Sequence, residues 1–120
     1  MEFEGLLLRK VDLDQEVGID VTGACLDAVR RCFPVQGREL SGEEVREIVQ
    51  KHVTDGIEQH FVFENPLRSK QFVVFARIWG APCWIVLGEE KDKTRRAITV
   101  RMHKEKDFGE EYAEVDIHDS

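Results

Sequence analysis

The sequence predicts an α+β domain in which a first strand and two helices precede a four-stranded antiparallel β-meander, with the helices packed on one sheet face. Two patterns support this prediction. Apolar residues recur at helical spacing between residues 21 and 56, and from residue 57 onward they alternate with polar residues. The chain has 120 residues, 42% of them hydrophobic, which is enough for one core. We therefore predict a single domain over residues 1–106 and a separate acidic segment over residues 107–120.

The first part of the chain predicts a strand over residues 3–11 and a polar connection over residues 12–18. Asp20 is the expected cap of a helix over about residues 21–33, which Pro34 ends. The apolar stripe of this helix consists of Cys25, Leu26, Val29, Cys32 and Phe33.

The second helix has the clearest local signal in the sequence. Ser41 is followed three positions later by Glu44, the spacing of a capping box, and Gly56 stands where a C-terminal glycine is expected. The apolar stripe is formed by Val45, Ile48, Val49 and Val53, with His52 at the rim of the core. This pattern predicts a helix that ends near Gly56.

Four segments then predict the strands of the meander, because their apolar residues follow strand periodicity or form short continuous runs. These segments are residues 57–64, 70–79, 83–87 and 95–103. Two alternatives stay open for residues 112–118, an acidic edge strand or a short helix.

Alternation assigns the strand residues to two sheet faces. We expect the helices to cover the face that carries Ile57, Phe61, Phe63, Ile98, Val100 and Met102. The opposite face then carries His60, Thr99, Arg101 and His103. Of the two registers open to the central strand, we favour the one that adds Val73, Phe75, Arg77 and Trp79 to this opposite face, with Trp84 beside them.

Charge is unevenly distributed along the chain. The formal net charge is −7, whereas residues 1–65 carry −7, residues 66–106 carry +6 and residues 107–120 carry −6. The overall value argues against general affinity for nucleic acid, which depends on phosphate neutralisation. Two interpretations of the basic block remain: each block forms its own solvated surface, or the basic block binds an anion or an acidic partner and is covered by the acidic segment in the free protein.

Other features exclude several classes of site. The three cysteines form no C-x-x-C pair and share no ligand spacing with the histidines, so we predict reduced thiols and no metal. The sequence has neither G-x-G-x-x-G nor a Walker A loop, so we expect no nucleotide cofactor. No apolar run approaches the roughly 20 residues of a membrane span, and the acidic start differs from a signal peptide. We expect a cytoplasmic protein with no membrane partner.

The candidate chemistry lies on the sheet face opposite the helices. An imidazole exchanges protons near neutral pH, and a guanidinium holds a phosphate and stabilises developing charge. His60 or His103, together with Arg77 and Arg101, would thus form a metal-independent ribonuclease site. In that site Phe75, Trp79 or Trp84 would stack on a base.

Three short runs, Arg38–Val45, Phe72–Gly80 and Ala97–Arg101, resemble those of small bacterial toxins of the RelE/BrnT type. The resemblance implies helices followed by a three- or four-stranded antiparallel sheet, and cleavage of RNA by basic and histidine side chains. It implies that Arg77 and Arg101 are active residues and that His60 or His103 is the acid or base. The chain departs from the family in its acidic net charge and in its acidic C-terminal segment.

The leading prediction is a protein-interaction module of the immunity, antitoxin-like, inhibitor or phage accessory type. Tryptophan and arginine anchor many interfaces, so we expect a partner to bind at Phe75, Arg77, Trp79 and Trp84. An edge at residues 95–103 or 112–118 would alternatively pair with a partner strand or form a homodimer. RNA is the alternative ligand if the chain is a ribonuclease.

Overall fold

A six-stranded mixed β-sheet forms the centre of the computed structural model, which describes residues 2–3 and 6–103. In chain order the strands are β1 (Glu2–Phe3), β2 (Leu6–Leu7), β3 (Arg9–Lys10), β4 (Ile19–Val21), β5 (Val62–Glu64), β6 (Gln71–Ile78), β7 (Ala81–Glu89) and β8 (Arg95–Met102). The helices are α1 (Gly23–Cys32), α2 (Gln36–Glu39) and α3 (Gly42–Glu58). The chain is therefore an α+β protein, as the sequence predicts.

The sheet has more strands than the predicted four-stranded meander, and one of its strands pairs parallel. Its order is β3-β5-β6-β7-β8-β4, and β1 and β2 form a separate two-stranded hairpin. Strands β5 to β8 pair antiparallel in succession, but β4 pairs parallel with β8. The predicted first strand over residues 3–11 is divided among β1, β2 and β3. The predicted acidic segment, residues 107–120, lies outside the described residues.

Helix α1 begins at a different cap from the one expected. The hydroxyl of Thr22 accepts a hydrogen bond from the Cys25 backbone N–H at 3.2 Å, so Thr22, not Asp20, is the N-cap. The same hydroxyl donates to the carbonyl of Ala97 in β8 at 2.9 Å. Asp20 instead lies within β4, which occupies the residues just before the helix.

Helix α3 has the predicted capping box and a later end than predicted. The Glu44 backbone N–H donates to the Ser41 hydroxyl at 3.2 Å, and the Ser41 N–H donates to the Glu44 carboxylate at 3.4 Å. The helix continues through Gly56 to Glu58, so residues 57–61 are not strand and β5 starts at Val62. Gly56 is required there because a Cβ atom would lie 2.3 Å from Cγ1 of Val74 in β6.

The main core lies between the sheet and helices α1 and α3. It includes Val29 of α1, Val49 of α3 and Val74, Ile85 and Val100 of the sheet. The predicted face assignment is confirmed for Val100 and, from the end of α3, for Ile57.

The same assignment is wrong for Phe61 and Phe63, and it fails at Ile98. Phe61 and Phe63 belong to a second cluster on the opposite face, because the later end of α3 changes the phase of the following strand. Ile98 is 39% exposed, whereas Met102 keeps the predicted face, because it stands opposite the core residue Cys83, although it is 47% exposed. The pairing of β7 with β8 is irregular at Val86/Leu87, where β8 has one extra residue, and such an irregularity breaks the alternation of faces.

No helix among the described residues is long and apolar enough to cross a membrane.

Candidate functional site

Three neighbouring strands place aromatic and basic residues in one row on the sheet face opposite the helices. In the register of the sheet, Phe75 of β6 stands opposite Trp84 of β7, and Trp84 stands opposite Arg101 of β8. Residues that stand opposite each other on paired strands project from the same face. The ring centroids of Phe75 and Trp84 are 4.1 Å apart and the rings meet edge to face.

A second row on the same face lies two residues further along the strands, toward the end of β8. Arg77 of β6 stands opposite Pro82 of β7, and the His103 backbone N–H donates to the Pro82 carbonyl at 3.0 Å. Arg77 lies two residues from Phe75 and so projects from the same face. We call this surface the aromatic–arginine face and define it by Phe75, Arg77, Trp84, Arg101 and His103.

The aromatic residues of this face are buried. Phe75 is 1% exposed and Trp84 is 2% exposed, and both belong to a cluster with Phe63. The His103 ring lies 5.5 Å, centroid to centroid, from both Phe75 and Trp84. The aromatic rings therefore form a packed base under the histidine, which differs from the exposed stacking platform that the sequence suggests.

The basic residues of the face are accessible to solvent. Arg77 and Arg101 are both exposed, and one terminal nitrogen of Arg77 donates to the Gly80 carbonyl at 3.3 Å. They lie on the strands on either side of β7, two strand spacings of about 4.8 Å apart across the sheet and one row apart along it. Two cations at this separation can engage two acidic groups of one extended ligand.

Trp79 lies away from the aromatic–arginine face, contrary to the predicted register. It follows the last residue of β6 and has a left-handed backbone with φ of 48°, next to Gly80 with φ of 81°. This turn directs its ring toward the helices, where it meets Phe33 edge to face at 5.0 Å. The predicted partner-binding set is therefore divided between the two sides of the sheet.

His60 is also outside the two rows. It has a left-handed backbone with φ of 63° in the connection between α3 and β5. Its Nδ1 lies 2.7 Å from a carboxylate oxygen of Asp12. Of the two histidines predicted as acid or base, His103 is the one that the sheet register places with Arg77 and Arg101.

A cleft of about 160 Å³ between the end of α3 and the edge of β6 contains residues that the sequence analysis did not select. His52, Asp55 and Gln59 line it from α3, and Arg77 lines it from β6. Desolvation by burial lowers the pKa of His52 below its ordinary value, although the nearby Asp55 carboxylate acts in the opposite direction. The shift favours the neutral form of the imidazole. In the sequence, the i, i+3 spacing of His52 and Asp55 is the signal that could have identified this pair.

The thiols show no sign of activation. Burial raises the pKa of Cys25 and of Cys83 to about 12, and it also raises the pKa of Cys32. Within residues 2–3 and 6–103, no group of three histidine, cysteine or carboxylate side chains could hold a metal ion.

Comparisons with family models, curated proteins and solved structures find no match to this chain. The resemblance to RelE/BrnT-type toxins therefore stays a prediction.

Proposed function

We propose that this protein is an interaction module, of the immunity, antitoxin-like, inhibitor or phage accessory type, that binds an acidic segment of a partner polypeptide. The binding surface is the aromatic–arginine face. The observation that supports this proposal is the placement of Arg77 and Arg101 on one face, both exposed, around a rigid aromatic base.

The chemistry of the face favours carboxylates. A guanidinium binds a carboxylate through two parallel hydrogen bonds, and two guanidiniums on separate strands impose a spacing on the ligand. The packed rings beneath hold the backbone of β6, β7 and β8 in place, so little order has to be gained on binding. The net charge of −7 disfavours a long polyanion such as RNA, whose binding gains from a large positive field.

Binding of an acidic peptide tests the proposal. We expect a fluorescein-labelled 14-residue peptide of alternating glutamate and serine to bind the purified protein at low salt, measured by anisotropy. Arg101→Ala should weaken binding about fivefold, the effect of losing roughly 1 kcal/mol from an exposed ion pair. Binding should also weaken as salt is added.

Arg31→Ala is the matched control, since Arg31 is an exposed arginine on α1. It removes the same charge from another surface and should leave the affinity unchanged. Equal loss of affinity in the Arg31 and Arg101 variants would show that the peptide responds only to net charge, and the proposed face would then be rejected.

A metal-independent ribonuclease of the RelE/BrnT-like type is the second candidate. It is favoured by the presence of His103, Arg77 and Arg101 on one face and of His52, whose pKa is lowered by burial, in the adjoining cleft. A neutral imidazole can take the proton of a ribose 2′-hydroxyl while arginine stabilises the charge that develops on the phosphate. RNA should then be cleaved in the presence of EDTA, and Arg77→Ala should abolish cleavage while circular dichroism shows an intact fold. Undiminished cleavage by the Arg77→Ala variant would reject this ribonuclease site.

A further inference from the structure

Three sulfur-containing side chains from α1, β7 and β8 come together on the helix side of the sheet. Cys83 of β7 stands opposite Met102 of β8, and the Cys83 Sγ lies 3.7 Å from the Met102 Sδ. Cys32 is the last residue of α1, and its Sγ lies 3.8 Å from the carbonyl oxygen of Val100 in β8. We call Cys32, Cys83 and Met102 the sulfur cluster.

Cys32 is close to both other members of the cluster. A hydrogen bond with the Met102 backbone acts to lower the pKa of Cys32, and Cys32 in turn contributes to the raised pKa of Cys83. The cluster extends from the core to the surface, since Cys83 is fully buried, Cys32 is partly buried and Met102 is 47% exposed. A small ion can therefore reach the sulfur atoms from solvent on the side of Cys32 and Met102.

We propose that the sulfur cluster binds one Cu(I) ion, with the Sγ atoms of Cys32 and Cys83 and the Sδ atom of Met102 as its ligands. This site is independent of the proposed function, because it lies on the opposite side of the sheet from the aromatic–arginine face. Thiolate and thioether sulfur are soft ligands that favour Cu(I). On binding, each thiol releases its proton to water and the thioether donates a lone pair, so a single negative charge remains at the site.

The separation of the Cys83 and Met102 sulfur atoms fits a shared metal ion. Metal–sulfur bonds are about 2.3 Å long, so two sulfur atoms 3.7 Å apart subtend an angle of roughly 110° at a common ion. Angles near this value occur when three or four ligands surround one ion. Arg31 is exposed next to Cys32 in the chain, and its charge favours the thiolate form of Cys32. This cation partly offsets the negative charge that binding leaves.

The set of donor atoms distinguishes Cu(I) from zinc. Structural zinc takes four ligands from thiolate, imidazole and carboxylate groups. In the part of the chain that the structure describes, no histidine or carboxylate joins the two thiols to build such a set. The third donor is a thioether, which Cu(I) accepts. A site with three sulfur donors should therefore prefer Cu(I) to zinc.

Competition with a coloured Cu(I) chelator measures the affinity. The purified protein is titrated into the Cu(I)–bicinchoninate complex with ascorbate and without oxygen, and we expect it to remove one Cu(I) ion per chain. Met102→Leu replaces the thioether with a side chain of similar volume at a half-exposed position, so the fold should be kept. Loss of this ligand should weaken Cu(I) binding by about tenfold or more. An affinity unchanged by Met102→Leu would overturn the proposed site.

Cys25→Ala is the matched control for Cys32→Ala. Cys25 is a buried thiol on the same helix, seven residues before Cys32, so the two Cα atoms are about 10 Å apart along the helix. Cys32→Ala should weaken binding of Cu(I), whereas Cys25→Ala should leave the affinity unchanged. Equal loss of affinity in the two variants would show that Cu(I) binds to any available thiol, and the proposal would then be overturned.

X-ray absorption at the copper edge keeps the test decisive if a substituted chain does not fold, because it uses the unaltered protein. With one equivalent of Cu(I), we expect sulfur neighbours at about 2.3 Å from copper. A spectrum that shows only nitrogen or oxygen neighbours would overturn the proposal.

Discussion

Replacement of Gly56 by alanine is the most direct test of how α3 is held against the sheet. Gly56 is buried within α3, and an added Cβ would lie 2.3 Å from Cγ1 of Val74. Carbon atoms in contact are normally about 3.5–4.0 Å apart, so the two atoms would have to separate by more than 1 Å. Val74 is fully buried and β-branched, which leaves it few alternative rotamers.

Two opposing effects determine the result. Alanine is about 1 kcal/mol more favourable than glycine inside a helix, because it restricts the unfolded chain. Extra volume in a packed core costs about 1–3 kcal/mol. We therefore expect Gly56→Ala to lower the free energy of unfolding by about 1 kcal/mol, measured by urea denaturation at constant m-value.

A second substitution identifies the source of the effect. Val74→Ala removes Cγ1, so the double variant should be more stable than the sum of the two single effects predicts, by about 1 kcal/mol. Gly42→Ala is the control on the same helix, since its nearest side-chain neighbour, Leu26, would be 3.8 Å away. It should leave stability unchanged or slightly higher. An increase of about 1 kcal/mol for Gly56→Ala would refute the close contact between α3 and β6.

Two further predictions concern His52 and Thr22. The pKa of His52 is lower in the folded protein, so the unfolded chain binds the proton more readily. The free energy of unfolding should therefore fall as the pH decreases through 6.5. His52→Gln should remove the part of this fall that comes from His52. An NMR titration of the ring should give a pKa below 6.5, and a value at or above 6.5 would contradict the prediction. Thr22→Ala should lower the free energy of unfolding by about 1–2 kcal/mol in urea, because it removes the cap of α1 and the hydrogen bond from the Thr22 hydroxyl to the Ala97 carbonyl. Thr22→Ser keeps both interactions, so equal stability of the alanine and serine variants would reject this role.

The local signals in the sequence predicted the helices well. The capping box at Ser41 and Glu44 depends on side chains three positions apart, so it can be identified without knowledge of the tertiary structure. Alternation left two registers of the central strand open, and the favoured one places Phe75 and Arg77 on the same face as Arg101, as the sheet does. Such features depend mainly on residues that are close together along the chain.

Errors occurred where a distant part of the chain determines the structure. Strand β4 is three residues long within a polar stretch, and its partner in β8 is remote in sequence. The turn after β6, in which Trp79 has a positive φ, reverses the direction of a side chain that alternation would place beside Arg77. The burial of Trp84 depends on neighbours across the sheet, which a strand pattern does not specify.

The position of β4 beside β8 also has a consequence for synthesis of the chain. The Thr22 hydroxyl and its acceptor, the Ala97 carbonyl, are separated by 75 positions, and buried Arg95 donates to the Asp14 carbonyl across 81. Contacts over such distances in sequence slow folding. While the ribosome is still adding β8, β4 lacks its partner strand and α1 lacks the strand on which it mainly packs, so much of the apolar side of α1 stays accessible to chaperones until almost the whole domain has emerged.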